Sequence, residues 1–354
     1  MKGLLKYLSP FAPDQSGAVA ALYTYGGIIV ICDAGGCTGN ICGFDEPRWF
    51  ENKSAVFSAG LRDMDAILGR DDRLVEKLKS AADQLGGSFA AIIGTPVPAV
   101  IATDYKALKR MAEKKCEMPV LALECTGTHL YDSGAEKAYL ELFKTFAKND
   151  KTSETAKPVS DHSSVGILGL IPLDVNATEV KAQLDSYYKA QGFSEVYCYG
   201  MGDGLDAVQK AGQVSKNIVV SPAALKTANY LEENFGTPYE VAYPLLEDSL
   251  KKELSTLEGK RVLVIHQQVM ANEIRKELLS NGASEVICGT WFMKKPELSN
   301  ETDMHFETEN EFIDYVKSGN FDAVIADHMF RRALKDYGGT FIDCDHFAVS
   351  GTLW

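Results

Sequence analysis

Short runs of aliphatic and β-branched residues recur along the chain, each followed by a turn and then by a longer segment whose apolar positions return every three or four residues. A continuous apolar run bounded by Gly or Pro is how a strand buried on both faces reads, and the segment after it reads as a helix packed on the sheet. The pattern predicts an α/β fold built on parallel sheets. It comes in three blocks. The first holds GGIIVICDAGG, AILGRDDRLVEKLKSAADQLGG, SFAAIIGTP with DYKALKRMAEKK, and MPVLALECTG with GAEKAYLELFKTFAK. The second opens with VGILGLIPLDV, continues through SEVYCYGMGDGL and NIVVSPAALKTANYLEENFG, and ends near EDSLKKELSTLEGK; the third runs from RVLVIHQQV to FDAVIADHMFRRAL and GGTFIDCDHFAVSG. The polar stretch NDKTSETAKPVSDHSS, residues 149–164, has no apolar period and reads as a linker. The boundaries expected are 1–155, 156–258 and 259–354.

AQLDSYYKAQGFSEVYCYG and NEIRKELLSNGASEVICGT echo each other as helix, glycine stop and strand, which points to similar units in blocks two and three. At 354 residues the chain is long enough for two or three domains. The net charge of -13 argues against nucleic acid or an anionic membrane as the main partner. No apolar run approaches a membrane span, and MKGLLKYLSPFAPDQ lacks the apolar core and cleavage site of a secretion signal, so a cytoplasmic protein is expected.

Eight cysteines are too few for a disulfide scaffold and would stand as thiols in a reducing compartment. Three of them fall in ICDAGGCTGNICGF, residues 31–44, directly after an apolar strand. Ligands of doubly wound sheets gather at the carboxyl ends of strands, which is where this loop stands. Gly35, Gly36, Gly39 and Gly43 can take positive φ and bring backbone amides close to a bulky inorganic cluster. Cys32 continues the strand and reads as core, whereas Cys37 and Cys42 sit among Gly, Thr and Asn and read as candidate metal or cluster ligands. Cys125, in VLALECTGTHL, also follows a strand, and with Cys37, Cys42 and His129 it makes a conceivable zinc set, less in keeping with the spacing than an iron-sulfur cluster. Cys198 and Cys288 read as core and Cys116 as incidental; His266 and His328 end apolar runs, and Cys344 with His346 is the best pair in block three. YGMGDGLD lacks the spacing of a dinucleotide site.

DAGGCTGNICGF, FSAGLRDMDAILGRDDRLVEKLK, NIVVSPAALKTANYLEENFGTPYEVAYPL and FIDCDHFAVSG together resemble the nitrogenase component 1 family, whose members include the nitrogenase α and β subunits, cofactor scaffolds and tetrapyrrole-reducing relatives. The resemblance covers nearly the whole chain and implies three Rossmann-like domains. It also implies a homodimer, or a heterodimer with a related subunit, with a [4Fe-4S] cluster shared across the interface. An ATP-dependent iron protein would dock over the cluster and pass electrons to a second site where a small molecule is reduced. The family's Gly-Cys ligand falls on Gly36 and Cys37. Its first ligand would fall in LSPFAPDQ, which has no cysteine, and its third near Thr95 and Pro96, so Cys125 and, in reserve, Cys42 are the substitutes.

The family's cofactor-anchoring cysteine maps near Ser221 and its anchoring histidine near Asp345 or His346, so no molybdenum-iron cofactor is expected and dinitrogen is not the expected substrate. His129 and His346 are the candidate catalytic residues, in a cavity lined by the CTGTH, CYGMGDG and DCDHF loops, with Arg48, Thr126, Thr128 and Asp132 setting local hydrogen bonds. Two further readings stand beside this one: a scaffold that uses the same cysteines to assemble a metallocofactor without turnover, and a metal-free module binding a sugar nucleotide or other small ligand in an interdomain cleft.

Overall fold

The computed structural model describes residues 5–49, 54–148 and 164–353. All but Ser164 of the stretch read as a linker, and with it the boundary drawn at 155, lies outside the described residues. Among the described residues there are three sheets, and every strand pair in them is parallel. The first contains β1 (Ile28–Ile31), β2 (Ala55–Ser58), β3 (Ala90–Ile93) and β4 (Val120–Leu123) in the order β2-β1-β3-β4. The second repeats that order with β5 (Ser164–Leu168), β6 (Glu195–Cys198), β7 (Lys216–Val219) and β8 (Tyr239–Val241), as β6-β5-β7-β8. The third adds a strand: β9 (Arg261–Ile265), β10 (Glu285–Thr290), β11 (Met304–His305), β12 (Ala323–Ala326) and β13 (Thr340–Asp343) lie in the order β11-β10-β9-β12-β13.

Each sheet therefore reverses direction once, beside its first strand, and opens a crevice there at the carboxyl edge. These switch points lie between β1 and β3, β5 and β7, and β9 and β12. The central strands β1, β3, β5 and β12 are buried along their whole length, and β7 and β9 at all but their first residue, as their apolar runs require. The edge strands β2, β8 and β11 are half-buried or exposed at every position and carry no apolar run longer than three residues, which is why the hydrophobic pattern did not announce them.

The echoed segments do form matching units. Helix Lys181–Ala190 feeds β6 through Gly192 at φ 96°, and helix Gln268–Ser280 feeds β10 through Gly282 at φ 86°. Cys198 and Cys288 end up buried, as do Cys32 and Cys116.

Helix Asp14–Leu22 is buried over all nine residues against helix Tyr131–Phe146. They cross backbone to backbone: a Cβ on Gly17 would stand 1.8 Å from the Tyr131 carbonyl oxygen, and one on Gly134 would stand 1.7 Å from that of Asp14. The chain ahead of this helix runs over the third sheet's layer. Buried Glu309 accepts the backbone N–H groups of Lys6, Tyr7 and Leu8 at 2.8–2.9 Å, and the Phe11 ring packs on Trp291, Phe292 and Phe330. Tyr131 N–H donates to the Ala12 carbonyl, so one crossing fixes the loops of the first sheet relative to the third.

Candidate functional site

After β1 the chain turns at Asp33, whose buried carboxylate accepts hydrogen bonds from Thr38 N (2.8 Å), Thr38 Oγ1 (3.0 Å) and Ser58 Oγ (2.6 Å). The cysteine loop that follows is a helix over Gly36–Asn40 and a wider turn over Ile41–Asp45. Asp45 ties its far end down by accepting from Ser16 Oγ and Asn40 Nδ2. Of the four glycines, only Gly35 takes positive φ, at 117°; the freedom expected of Gly36, Gly39 and Gly43 is not used. What the four share is space, since a Cβ on any of them would meet no atom within 4 Å.

Cys37 and Cys42 are half-buried on this open loop. Burial pushes both thiols up, Asp33 adding to it at Cys37 and Glu46 and Asp33 at Cys42, while a hydrogen bond with the Thr95 hydroxyl pulls Cys37 back. Thr95, at the position the resemblance gave to a third ligand, thus lies beside Cys37. Cys125 is fully buried, and burial and the Asp14 charge push its thiol up to about 12, with Lys137 opposing. Its loop is held by Asp14, within LSPFAPDQ, which accepts from Thr126 N (2.9 Å) and Gly127 N (2.8 Å). Among the described residues, no three of Cys37, Cys42, Cys125 and His129 bring ligand atoms within 4.8 Å of one another, so a single chain does not assemble the zinc set.

Exposed apolar side chains surround this edge of the first sheet: Phe44 in the loop itself, Val97, Val100 and Ile101 after β3, and Met64, Ile67 and Leu68 after β2. His129 is exposed, and its carbonyl accepts from Asp14 N. The hydroxyls of Thr126 and Thr128 hydrogen-bond each other at 2.7 Å. Arg48 and Asp132 are buried struts. Arg48 pairs with Glu46 at 2.7 Å and donates to the carbonyls of Gly200 and Ala20, while Asp132 accepts from the N–H of Met293. The CYGMGDG loop opens on a cleft of about 570 Å³ with Thr24, Arg48 and Lys181, away from His346.

His346 stands instead where the second and third switch points meet the loop that follows β4. Asp174, just past β5, accepts a hydrogen bond from Ser221 Oγ at 2.5 Å, just past β7, and another from the Tyr131 hydroxyl. Tyr131 Oη lies 3.1 Å from His346 Nε2, and the His346 ring stacks on His266, just past β9, with centroids 4.2 Å apart and planes 16° from parallel. Gln267 Nε2 donates to the Val220 carbonyl at 2.9 Å and binds the second and third switch points together. All six residues are at most 1% exposed. Burial raises the Asp174 carboxyl to about 6 despite its two hydrogen bonds, and lowers His346 to about 3. His266 is lowered well below the usual histidine range, by burial and then by His346.

Sequence reasoning singled out His346 and weighed His266, but it missed Asp174 and Tyr131. Asp174 lies within the named stretch VGILGLIPLDV and Tyr131 two residues past CTGTH, and only the folded crossing brings them together. Cys344, paired with His346 on sequence, points into a separate apolar cluster and is held protonated by burial. At the carboxyl edge of the third sheet, His328 Nδ1 lies 2.7 Å from Asp345 Oδ1 and 3.7 Å from Asp327 Oδ1.

The family model for nitrogenase component 1 type oxidoreductase matches residues 15–246. Among solved structures the chain is similar to nitrogenase Cp1 at pH 6.5, with a TM-score of 0.71 and 11% identity over 98% of this chain and 87% of that one. A structure of nitrogenase Cp1 at pH 5 gives 0.68 and 13% over 96% and 84%. At such identities the likeness concerns the fold. No curated protein sequence matches significantly.

Proposed function

Because this chain belongs to the nitrogenase component 1 type oxidoreductases, we propose that it is the cluster-bearing, electron-accepting subunit of a reductase whose substrate is a small molecule other than dinitrogen. The single observation that carries the reading is Cys37, half-exposed on a loop whose four glycines face open space within an apolar rim.

The residues fit a [4Fe-4S] cluster completed at a subunit boundary. Cys37 is the principal ligand and Cys42, half-buried on the same loop, a further one; Cys125, buried in the core, joins them once its loop opens on pairing, and Gly36 lets the backbone approach. Two or three thiols per chain are too few for such a cluster, and pairing with a second copy or a related subunit supplies the rest. When bound, the cluster supplies a one-electron couple of low potential. The chain's own residues do the remaining work. Asp33 holds the loop in shape through Thr38 and Ser58, and the rim of Phe44, Val97, Val100 and Ile101 excludes water once covered. An ATP-dependent iron protein delivers the electrons.

Protons for the reduced substrate come from the group formed by Asp174, Tyr131 and His346, which we take as the second site in preference to His129, because His129 is exposed and, among the described residues, engaged only through its backbone carbonyl. The Ser221 hydroxyl is committed to Asp174, which supports a centre that does not anchor a molybdenum-iron cofactor. Among the described residues no helix is long and apolar enough to cross a membrane.

Anaerobic purification with iron and sulfide analysis and EPR of the reduced protein tests the reading. Wild type is expected to carry iron and acid-labile sulfide in equal amounts, and Cys37→Ser to lose most of both. Full retention in Cys37→Ser overturns the ligand assignment, and a wild type that takes up no iron with ferrous salt and sulfide overturns the function.

A further inference from the structure

We propose that Asp327, His328 and Asp345 form a site for one divalent transition-metal ion, apart from the cysteine loop and independent of the cluster. Strands β12 and β13 pair in parallel with Ala326 opposite Asp343, so the residues that leave their carboxyl ends emerge side by side at the carboxyl edge of the third sheet, next to its switch point. The side chain of Cys344 turns into the core, and that of Asp345 turns outward to meet His328.

One atom from each of the three side chains lies within 4.8 Å of the other two. His328 Nδ1 is 2.7 Å from Asp345 Oδ1 and 3.7 Å from Asp327 Oδ1. An ion with bonds of about 2.1 Å sets neighbouring ligand atoms roughly 3.0–3.4 Å apart, and the two observed separations bracket that range. Two carboxylates thus face one imidazole nitrogen, and a cation placed between them replaces the proton now on Nδ1, which leaves to solvent.

The site is pre-organised. Asp327 is fully buried, with Oδ1 accepting from Met329 N and Oδ2 from His346 N, both at 2.8 Å, so its orientation is fixed before any ion arrives. The His328 side chain is 39% exposed, which leaves a path for the ion and room for water at the positions the protein does not fill. His266 stands behind the Asp345 backbone. His266 is 1% exposed, its Nε2 lies 3.4 Å from the Asp345 carbonyl, and among the described residues its Nδ1 has no hydrogen-bond partner. Buried polar atoms left without a partner mark unseen water or ligand. His346 belongs to the other side of this wall, with its Nε2 on Tyr131.

One nitrogen and two carboxylate donors, without thiolate, suit Mn²⁺, Fe²⁺, Co²⁺ or Zn²⁺, and supply too few oxygens for Ca²⁺. With three protein ligands the ion keeps open positions, as catalytic rather than structural sites do.

The test is titration of chelator-treated protein with Co²⁺, followed by visible absorption, and with Mn²⁺, followed by EPR, in the wild type and in Cys37→Ser, which lacks the loop's principal thiolate. One ion per chain is expected in both proteins, with d–d bands and no thiolate charge transfer. Asp345→Asn and His328→Ala should each weaken binding by about 10-fold to 100-fold. Asp345 is part-exposed, so Asp345→Asn is expected to fold even where His328→Ala does not. No binding by about 1 mM, thiolate charge-transfer bands, or unchanged affinity in Asp345→Asn overturns the proposal. Iron and sulfide content reports the cysteine loop separately.

Discussion

The cysteine loop and the polar centre are both built from residues that have just left the carboxyl ends of parallel strands, yet one is open and the other is sealed. At the loop, glycines face empty space and two thiols are half-exposed. At the centre, Ser221, Asp174, Tyr131 and His346 are linked by hydrogen bonds out of reach of water, with the His266 ring stacked on His346. A site left open on a sheet edge calls for something to cover it, whereas a sealed one is already completed by its own chain. Alkylation of cluster-free protein should show the difference most sharply. Cys37 and Cys42 are expected to react in the folded state, and the other six, Cys125 included, at least about 10³-fold more slowly, since buried thiols wait for unfolding. Mass spectrometry after timed pulses reads this directly, and Cys125 labelling as fast as Cys37 would erase the contrast.

Substitutions should separate the two regions in a different currency. Asp174→Ala removes the acceptor of two buried hydrogen bonds and is expected to cost about 2–4 kcal/mol in urea denaturation. Val100 is 85% exposed, and Val100→Asp should leave folding stability within about 0.5 kcal/mol. The same change should weaken subunit pairing by about tenfold or more, because it puts a charge into an apolar rim. Sedimentation of both variants is the check: a Val100→Asp protein that pairs like the wild type removes the rim from the interface.

The difference also explains what the sequence could say. The loop was legible because its chemistry is local: thiols, glycines and a strand end fall within fourteen residues, and burial needs no distant partner to be inferred. The α/β class and parallel sheets were legible in the central strands, such as IIVI and AVIA, which are apolar throughout. Edge strands YEV and MH were not, since half their surface faces water. The centre was legible only at His346. Asp174 and Tyr131 are separated by 43 residues in sequence, and Tyr131 and His346 by 215. The crossing that unites them depends on Gly17 and Gly134, small residues whose effect appears only when two helices meet. The expected positive φ along the loop failed for a related reason: glycine was chosen there for what it leaves empty, and a helix satisfies that as well as a turn.

The smallest effect is the most specific to the sealed centre. Asp174 is raised from 3.8 to about 6, so between those values the folded chain holds a proton the unfolded chain has lost, and this group's contribution to stability falls as pH rises. His346 is lowered from 6.5 to about 3, so between those values the unfolded chain binds the extra proton, and its contribution rises with pH. Across about pH 4 to 6 the two oppose each other, each by at most about 1.4 kcal/mol per pH unit. His266, also lowered, and Asp132, raised to about 6, add terms of both signs that remain in any single variant of the other pair. Asp174→Asn should therefore make stability climb more steeply with pH through this window, and His346→Gln should make it climb less steeply or fall. Urea unfolding free energies at several points in the window give both slopes. Slopes that shift in the same direction would mean that the carboxyl and the imidazole do not titrate as opposing buried groups, and that the centre admits water as the loop does.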